Sequence, residues 1–341
     1  MKKLLSILLV LAMIFSMAAC GSNEPAGDAE GEAELKPVVL TIGNVAVGED
    51  QPYNHVLQYA QEYLTEAGST VSLDMQTAGV LGGERELVEQ TIAGAIPMCQ
   101  IADMSLSSFI PQAAFVTFPG LMPDYDAVKE LYVNGWVGET LNSLVEEKGL
   151  KLLGVSDNGF RWITNSKHEV VEPEDLTDLL VRVPESDIML DFWAAMGAQT
   201  TPIAWGELAT ALQQGVVDGQ EVCPMTFAQY GFQEYNQYGT EINYAYSAVI
   251  CLMNQAAFDA LAPQQQEELV AAFEHGNAKM MEEAIAGNDA TMQSLVDGGF
   301  VLSEPSQAMM DKIAQVGYDL AHSDKWMEIL GADLVATMYG E

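Results

Sequence analysis

Arginine occurs only at Arg85, Arg161 and Arg182 in this 341-residue chain, which carries 49 Asp plus Glu against 13 Lys plus Arg. Two of the three lie between Asn158 and Val222. Arg161 stands in Gly-Phe-Arg-Trp-Ile-Thr-Asn and Arg182 in Val-Arg-Val-Pro-Glu-Ser, each inside an apolar run that reads as a strand or strand edge. Cations serving solubility would be scattered over polar segments. A guanidinium keeps its charge when desolvated, and its planar fork pairs bidentately with a carboxylate. The placement points to a carboxylate-binding cleft in an otherwise acidic protein. The plainer alternative makes Arg182 a structural partner of Glu185 or Glu207. Arg85, in Leu81-Gly-Gly-Glu-Arg-Glu-Leu87 at the start of a helix, either pairs with Glu89 one turn on or reaches the cleft from the first half of the chain.

Other chemistries find little support. Apart from Cys20, the cysteines Cys99, Cys223 and Cys251 are odd in number, which excludes a complete disulfide framework. Cys99 and Cys251 lie in strand-like runs and read as buried thiols, with a bond between them as the alternative. The histidines, His55, His168, His275 and His322, have no zinc-site spacing, so no metal or cofactor is expected; His55 is retained as a candidate ligand contact. There is no Gly-x-Ser-x-Gly elbow, His-Glu-x-x-His pair or phosphate loop. A non-enzymatic protein is therefore expected, with an exported enzyme or a surface-interaction protein as alternatives. A formal net charge of −36 argues against nucleic acid and anionic lipid as partners.

The start of the chain sets where it works. Met1-Lys-Lys precedes an uncharged apolar run from Leu4 to Ala19, and Met17-Ala-Ala-Cys20-Gly21 ends it. This reads as a lipoprotein signal over 1–19, with Cys20 lipidated and the protein anchored by acyl chains outside the cytoplasm, in a periplasm or on the outer face of the cell membrane. Residues 20–36 are small or acidic with one aliphatic, Leu35, and read as a disordered acidic tether. No later run is long and apolar enough for a span.

The elements that must hold the arginines alternate. Val38–Asn44, Tyr53–Ala67 and Val71–Met75 read as strand, helix, strand, which favours a parallel sheet covered by helices. Further strands are expected at Ile96–Ile101 and Leu150–Val155, with Asp124–Glu147 helical, and Ser156-Asp157-Asn158-Gly159 as the turn where the chain first crosses to a second unit. There, Pro173 opens a short helix, Arg182 lies on a strand, Ser186 caps a helix ended by Gly197, and Val216-Val217 starts a strand after which Glu221 and Val222 follow. An apolar helical face from Pro263 to Gly298 implies one helix about 50 Å long bridging both units; two helices broken near Gly287-Asn288 are the alternative. Asp311–Leu320 and Lys325–Met338 read as closing helices.

Gly159-Phe-Arg-Trp-Ile-Thr-Asn165, Glu172-Pro-Glu-Asp-Leu176, Val181-Arg-Val-Pro-Glu-Ser186, Trp205-Gly-Glu-Leu208, Ala211-Leu-Gln-Gln-Gly-Val-Val-Asp-Gly-Gln-Glu221 and Leu81-Gly-Gly-Glu-Arg-Glu86 occur in this chain. From about Val38 to about Asn277 it resembles the solute-binding proteins of tripartite ATP-independent periplasmic (TRAP) transporters, the DctP type. The resemblance implies an α/β, two-lobe periplasmic-binding-protein-like fold with a hinge and a long inter-lobe helix. Lobe I would comprise 37–157 plus about 249–285, and lobe II 158–248 plus about 286–341. It further implies a small organic acid as ligand, a selectivity arginine at Arg182, a supporting arginine at Arg161, and docking on TRAP membrane permease subunits; an ABC-type lipoprotein is the transport alternative. Many members have Asn after Gln-Glu, where this chain has Val222 and Cys223. If Trp162, Trp205 and Val222 line the cleft, the ligand has an apolar or aromatic body; if both tryptophans are core, it need not. A hard ion at Glu221, as some members use, is left open.

Overall fold

The computed structural model describes residues 35–341, so the signal segment, Cys20 and the tether through residue 34 lie outside the described residues. Strand β1 (Val38–Gly43) pairs in parallel with β2 (Val71–Gln76) and β3 (Met98–Ala102), with the helix Pro52–Glu66 between the first two. Sheet one is completed by β4 (Leu150–Phe160), and by β10 (Tyr246–Asn254), which runs antiparallel between β3 and β4. Sheet two holds β5 (Trp162–Asn165), β6 (Leu180–Val183), β7 (Gln199–Pro202), β8 (Gly219–Val222), β9 (Tyr238–Thr240) and β11 (Val301–Ser303), in the order β11-β9-β5-β8-β6-β7. The result is the two-sheet α/β arrangement expected.

The turn expected at Ser156–Gly159 is not there. β4 continues through it to Phe160, paired with β10 throughout, and absorbs the local signals as register shifts rather than a reversal. Gly154 (φ +147°) and Gly159 (φ +114°) take conformations that side chains disfavour, and a Cβ at Gly154 would strike Asn277. The crossing to sheet two is a single residue, Arg161, whose N–H donates to the Ala245 carbonyl (2.8 Å) on the return segment between β9 and β10. Both passages between the sheets thus meet at Arg161.

Other boundaries moved for local reasons. Val216 and Val217 do not start a strand: Gly215 (φ +65°) and the Val216 N–H, bonded to the Ala211 carbonyl (2.9 Å), wind out the helix Trp205–Gln213, so Glu221 and Val222 lie within β8. Ser186 makes no side-chain cap on the helix Asp187–Met196, although Gly197 (φ +105°) ends it. Asp124–Glu147 breaks at Asn134-Gly135 into a π-helical turn and the helix Trp136–Glu146.

The long helix is unbroken from Pro263 to Asp297, 35 residues or about 52 Å. Its Leu269, Phe273 and Met280 pack with Val56 and Leu57 of the Pro52–Glu66 helix, whereas Met292 and Leu295 join Trp162 and Phe227 on sheet two. At Gly276 the two helices meet so closely that a Cβ would strike the Val56 carbonyl. The closing helices, Gln307–Ala321, Asp324–Leu330 and Ala332–Tyr339, do not sit on the second unit alone. The first packs on Asp187–Met196, while Trp326 of the second meets the Phe118 ring edge-on at 5.6 Å, beside sheet one.

Candidate ligand-binding cleft

Arg161 and Arg182 have opposite fates. Arg161, 4 % exposed, donates from Nε and Nη2 (2.7 Å) to the two carboxylate oxygens of Glu221, and Nη2 also reaches the Glu221 carbonyl (3.1 Å). Tyr244 donates its hydroxyl to the same carboxylate at 2.8 Å. Burial opposes the Arg161 charge, but Glu221 outweighs it and holds the guanidinium well above its ordinary pKa. Arg182 on β6, 2 % exposed, has no such partner. Its Nε (2.9 Å) and Nη2 (2.7 Å) both donate to the Ile203 carbonyl, which fixes the plane of the fork, and the group lies 5.9 Å from the Trp205 ring centre. No carboxylate forms an ion pair with it among the described residues; Glu185 and Glu207 do not. Burial lowers its pKa to about 10, and Arg161 pushes in the same direction against the pull of Glu221 and Glu84.

The facing wall comes from sheet one. Glu84, first residue of the helix Glu84–Ile92, accepts from the Ala102 N–H (2.8 Å), the Tyr53 hydroxyl (3.4 Å) and Ser105 Oγ. Burial raises its pKa and Arg182 lowers it, so the two lie across the cleft from one another. The Tyr53 hydroxyl, whose pKa burial raises first, also feels Glu84, Tyr230, Cys223 and Asp103, which locates one shared space between the sheets. Asp103 accepts from Tyr132 (3.0 Å), the Met104 N–H (2.8 Å) and Ser247 (3.3 Å); Asp157 accepts from Tyr246 (2.9 Å). At the rim, the Val47 N–H donates to the Tyr230 hydroxyl (3.2 Å), Gln229 to the Asp50 carbonyl (3.2 Å) and Ser108 to the Glu185 carbonyl (3.3 Å). These three bonds join the two sides in a closed arrangement.

Several residues expected in the cleft lie elsewhere. Trp162 and Val222 are register partners on β5 and β8 and belong to the core of sheet two, Trp162 meeting Phe227 edge-on at 5.4 Å. Only half-buried Trp205 borders Arg182, edge-on to Tyr230 at 4.9 Å, so the expectation of an apolar ligand body loses two of its three supports. Arg85 is exposed and pairs with Glu89 at 3.7 Å. His55 pairs with Glu283 of the long helix at 3.4 Å, and no hydrogen bond or ion pair joins it to Arg161, Arg182 or Glu221. Cys99, Cys223 and Cys251 are buried free thiols, Cys99 and Cys251 lying on adjacent strands. Among the described residues no group of three or more His, Cys, Asp or Glu is placed to hold a metal. Sequence reasoning missed Tyr53, Glu84, Asp103, Asp157 and Gln220, the register partner of Arg182, whose buried amide has no hydrogen-bond partner.

Burial pushes the Asp103 and Asp157 carboxyls up to about 7. A carboxyl with a folded pKa above its unfolded value binds its proton more tightly in the folded state, so its contribution is full below the unfolded pKa and is lost as pH rises through the folded one. The melting temperature should therefore rise by several degrees between about pH 7.5 and about pH 5.5. Asp103→Asn should flatten that slope in a thermal-unfolding series; an equal slope in the variant would remove Asp103 as its source.

Two α/β units, bridged by a long helix and two adjacent passages and facing each other across a closed cleft with a buried arginine, define a two-lobe solute-binding protein. The chain belongs to the DctP family, described as bacterial extracellular solute-binding protein, family 7, which matches residues 42–323. A solute-binding protein of Verminephrobacter eiseniae is 32% identical over 232 residues, 68% of this chain and 69% of that protein. A TRAP periplasmic solute-binding protein from Sulfitobacter sp. NAS-14.1, solved with bound β-D-galacturonate, is 26% identical with a TM-score of 0.81, covering 89% of this chain and 100% of the other. The sugar acid binding protein of Advenella mimigardefordensis, solved with galactonate, shares the fold at a TM-score of 0.83 and 24% identity, covering 90% of this chain and 98% of the other.

Proposed function

We propose that this chain is a lipid-anchored, extracytoplasmic receptor that captures a small organic carboxylate by lobe closure and presents it to a TRAP membrane permease. The observation that carries the reading is Arg182: a buried guanidinium, oriented by the Ile203 carbonyl, with no carboxylate partner within the described residues. A ligand carboxylate on its outer edge supplies that partner and relieves the repulsion from Arg161. Galacturonate and galactonate, the ligands of the two structural relatives, are both carboxylates. The lobes hinge where Arg161 and Ala245 adjoin, and Cys20 carries the lipid. Closure is driven by ligand because Glu84, Tyr53 and Tyr230 complete the site only when the lobes meet; a ligand binding open and closed forms equally would shift nothing.

The test is a thermal-unfolding screen of protein refolded to strip bound ligand, against small carboxylic acids and their amides. A ligand at about 100 times its dissociation constant adds about 2.7 kcal/mol, roughly 5 °C for a chain this size. At least one acid should shift the midpoint while its amide does not. A shift with amide and acid alike would sink the carboxylate reading.

A further inference from the structure

The cleft walls hold more carboxyls than cations. Arg161 and Glu221 cancel. Asp103 is saturated, accepting from Tyr132, Ser247 and the N–H groups of Met104 and Ala248. What remains is Arg182 facing two carboxyls with acceptor positions to spare. Glu84 accepts three hydrogen bonds, and Asp157 accepts from Tyr246 and Tyr125, where a carboxylate offers about four positions. Arg182 is itself nine-tenths and more buried, its Nη1 has no hydrogen-bond partner among the described residues, and its charge is felt at Glu84. A ligand bringing only a carboxylate satisfies Arg182 and is repelled by Glu84 and Asp157. One that also brings a cation satisfies both sides. Half-buried aromatic rings stand beside these groups: Tyr53 donates to Glu84, Tyr125 adjoins Asp157, and Trp205 and Tyr230 flank Arg182. Aromatic faces next to carboxyls are suited to a positively charged nitrogen.

Resting on the carboxylate reading above, we propose that the ligand is a zwitterion, an organic acid that also bears a protonated or quaternary nitrogen. Its carboxylate sits on Arg182 of lobe II and its nitrogen against Glu84 of lobe I, with Asp157 adding to the field, so closure brings the two halves of the ligand's charge to opposite walls. Glu84 is then the residue that selects among acids.

Calorimetric titration of stripped full-length domain with homologous short linear acids ending in a hydroxyl, an amine or a trimethylammonium group tests this. At the best-fitting length, the nitrogen-bearing acid should bind at least about tenfold tighter than the hydroxy acid. Glu84→Gln should bring that ratio to within about threefold, and Asp157→Asn should narrow it less. Hydroxy acids binding as tightly as the amino acids at every length overturn the zwitterion and leave the carboxylate reading standing. A preference that survives both substitutions also overturns it. Amines without a carboxylate binding as well as the amino acids, or no binding in any series, overturn both readings.

Discussion

Arg182→Ala is expected to abolish carboxylate binding in a protein that still folds. Removing one partner of a desolvated, hydrogen-bonded charge pair costs about 2–5 kcal/mol of affinity, about 30-fold to several thousand-fold. The fold should tolerate the change because the hydrogen bonds of Arg182 within the chain go to one carbonyl, that of Ile203. Losing them is offset by removing a buried cation that has no ion-pair partner among the described residues. Arg182→Lys keeps a charge but not the fork, since an ammonium cannot hold the Ile203 carbonyl and both oxygens of a ligand carboxylate in one plane. Its affinity should fall between wild type and alanine. Titration with an acid identified in the screen, alongside thermal unfolding, checks both halves. Binding within a few-fold of wild type in Arg182→Ala would sink the assignment of this residue.

What was legible in the sequence follows from what periodicity encodes. The strand-helix-strand start, the arginine-bearing strand β6 and the long helix were visible because apolar spacing and glycine stops report local geometry. Asn158-Gly159 misled because a bulge in a strand and a turn that ends one use the same residues; only the partner strand β10, some ninety positions on, decides between them. Trp162 and Val222 misled for a related reason. Alternation says that a residue is buried, not whether the surface burying it is core or cleft, and β5 and β8 turn these two toward the core of sheet two. At the first helix the error was one position. Arg85 drew attention as a rare type, yet one step along a helix turns a side chain by about 100°, and it is Glu84 that faces Arg182. Among 49 acids, no composition argument singles out Glu84, Asp103 or Asp157. Their significance comes from burial, which is a property of the assembled fold.

The same logic separates Arg161 from Arg182 and yields the second large effect, on stability. Glu221→Gln removes the charge from a carboxylate that is fully buried between the Arg161 fork and the Tyr244 hydroxyl. The guanidinium then remains buried without its counter-charge, next to Arg182, at the residue through which β4 passes into β5. Breaking a buried ion pair from one side costs about 3–5 kcal/mol, which for a chain of this size lowers the melting temperature by about 6–10 °C. Replacing both members, as in Arg161→Met with Glu221→Leu, removes the stranded charge along with its partner and should recover much of the loss. Ligand binding responds differently. With Glu221 neutral, the field at Arg182 becomes more positive, so carboxylate affinity in the folded protein should hold or rise while stability falls. A variant that lost affinity without losing stability would reverse the assignment: Glu221 would then be orienting Arg161 for the ligand, and the pair would belong to recognition rather than to the hinge.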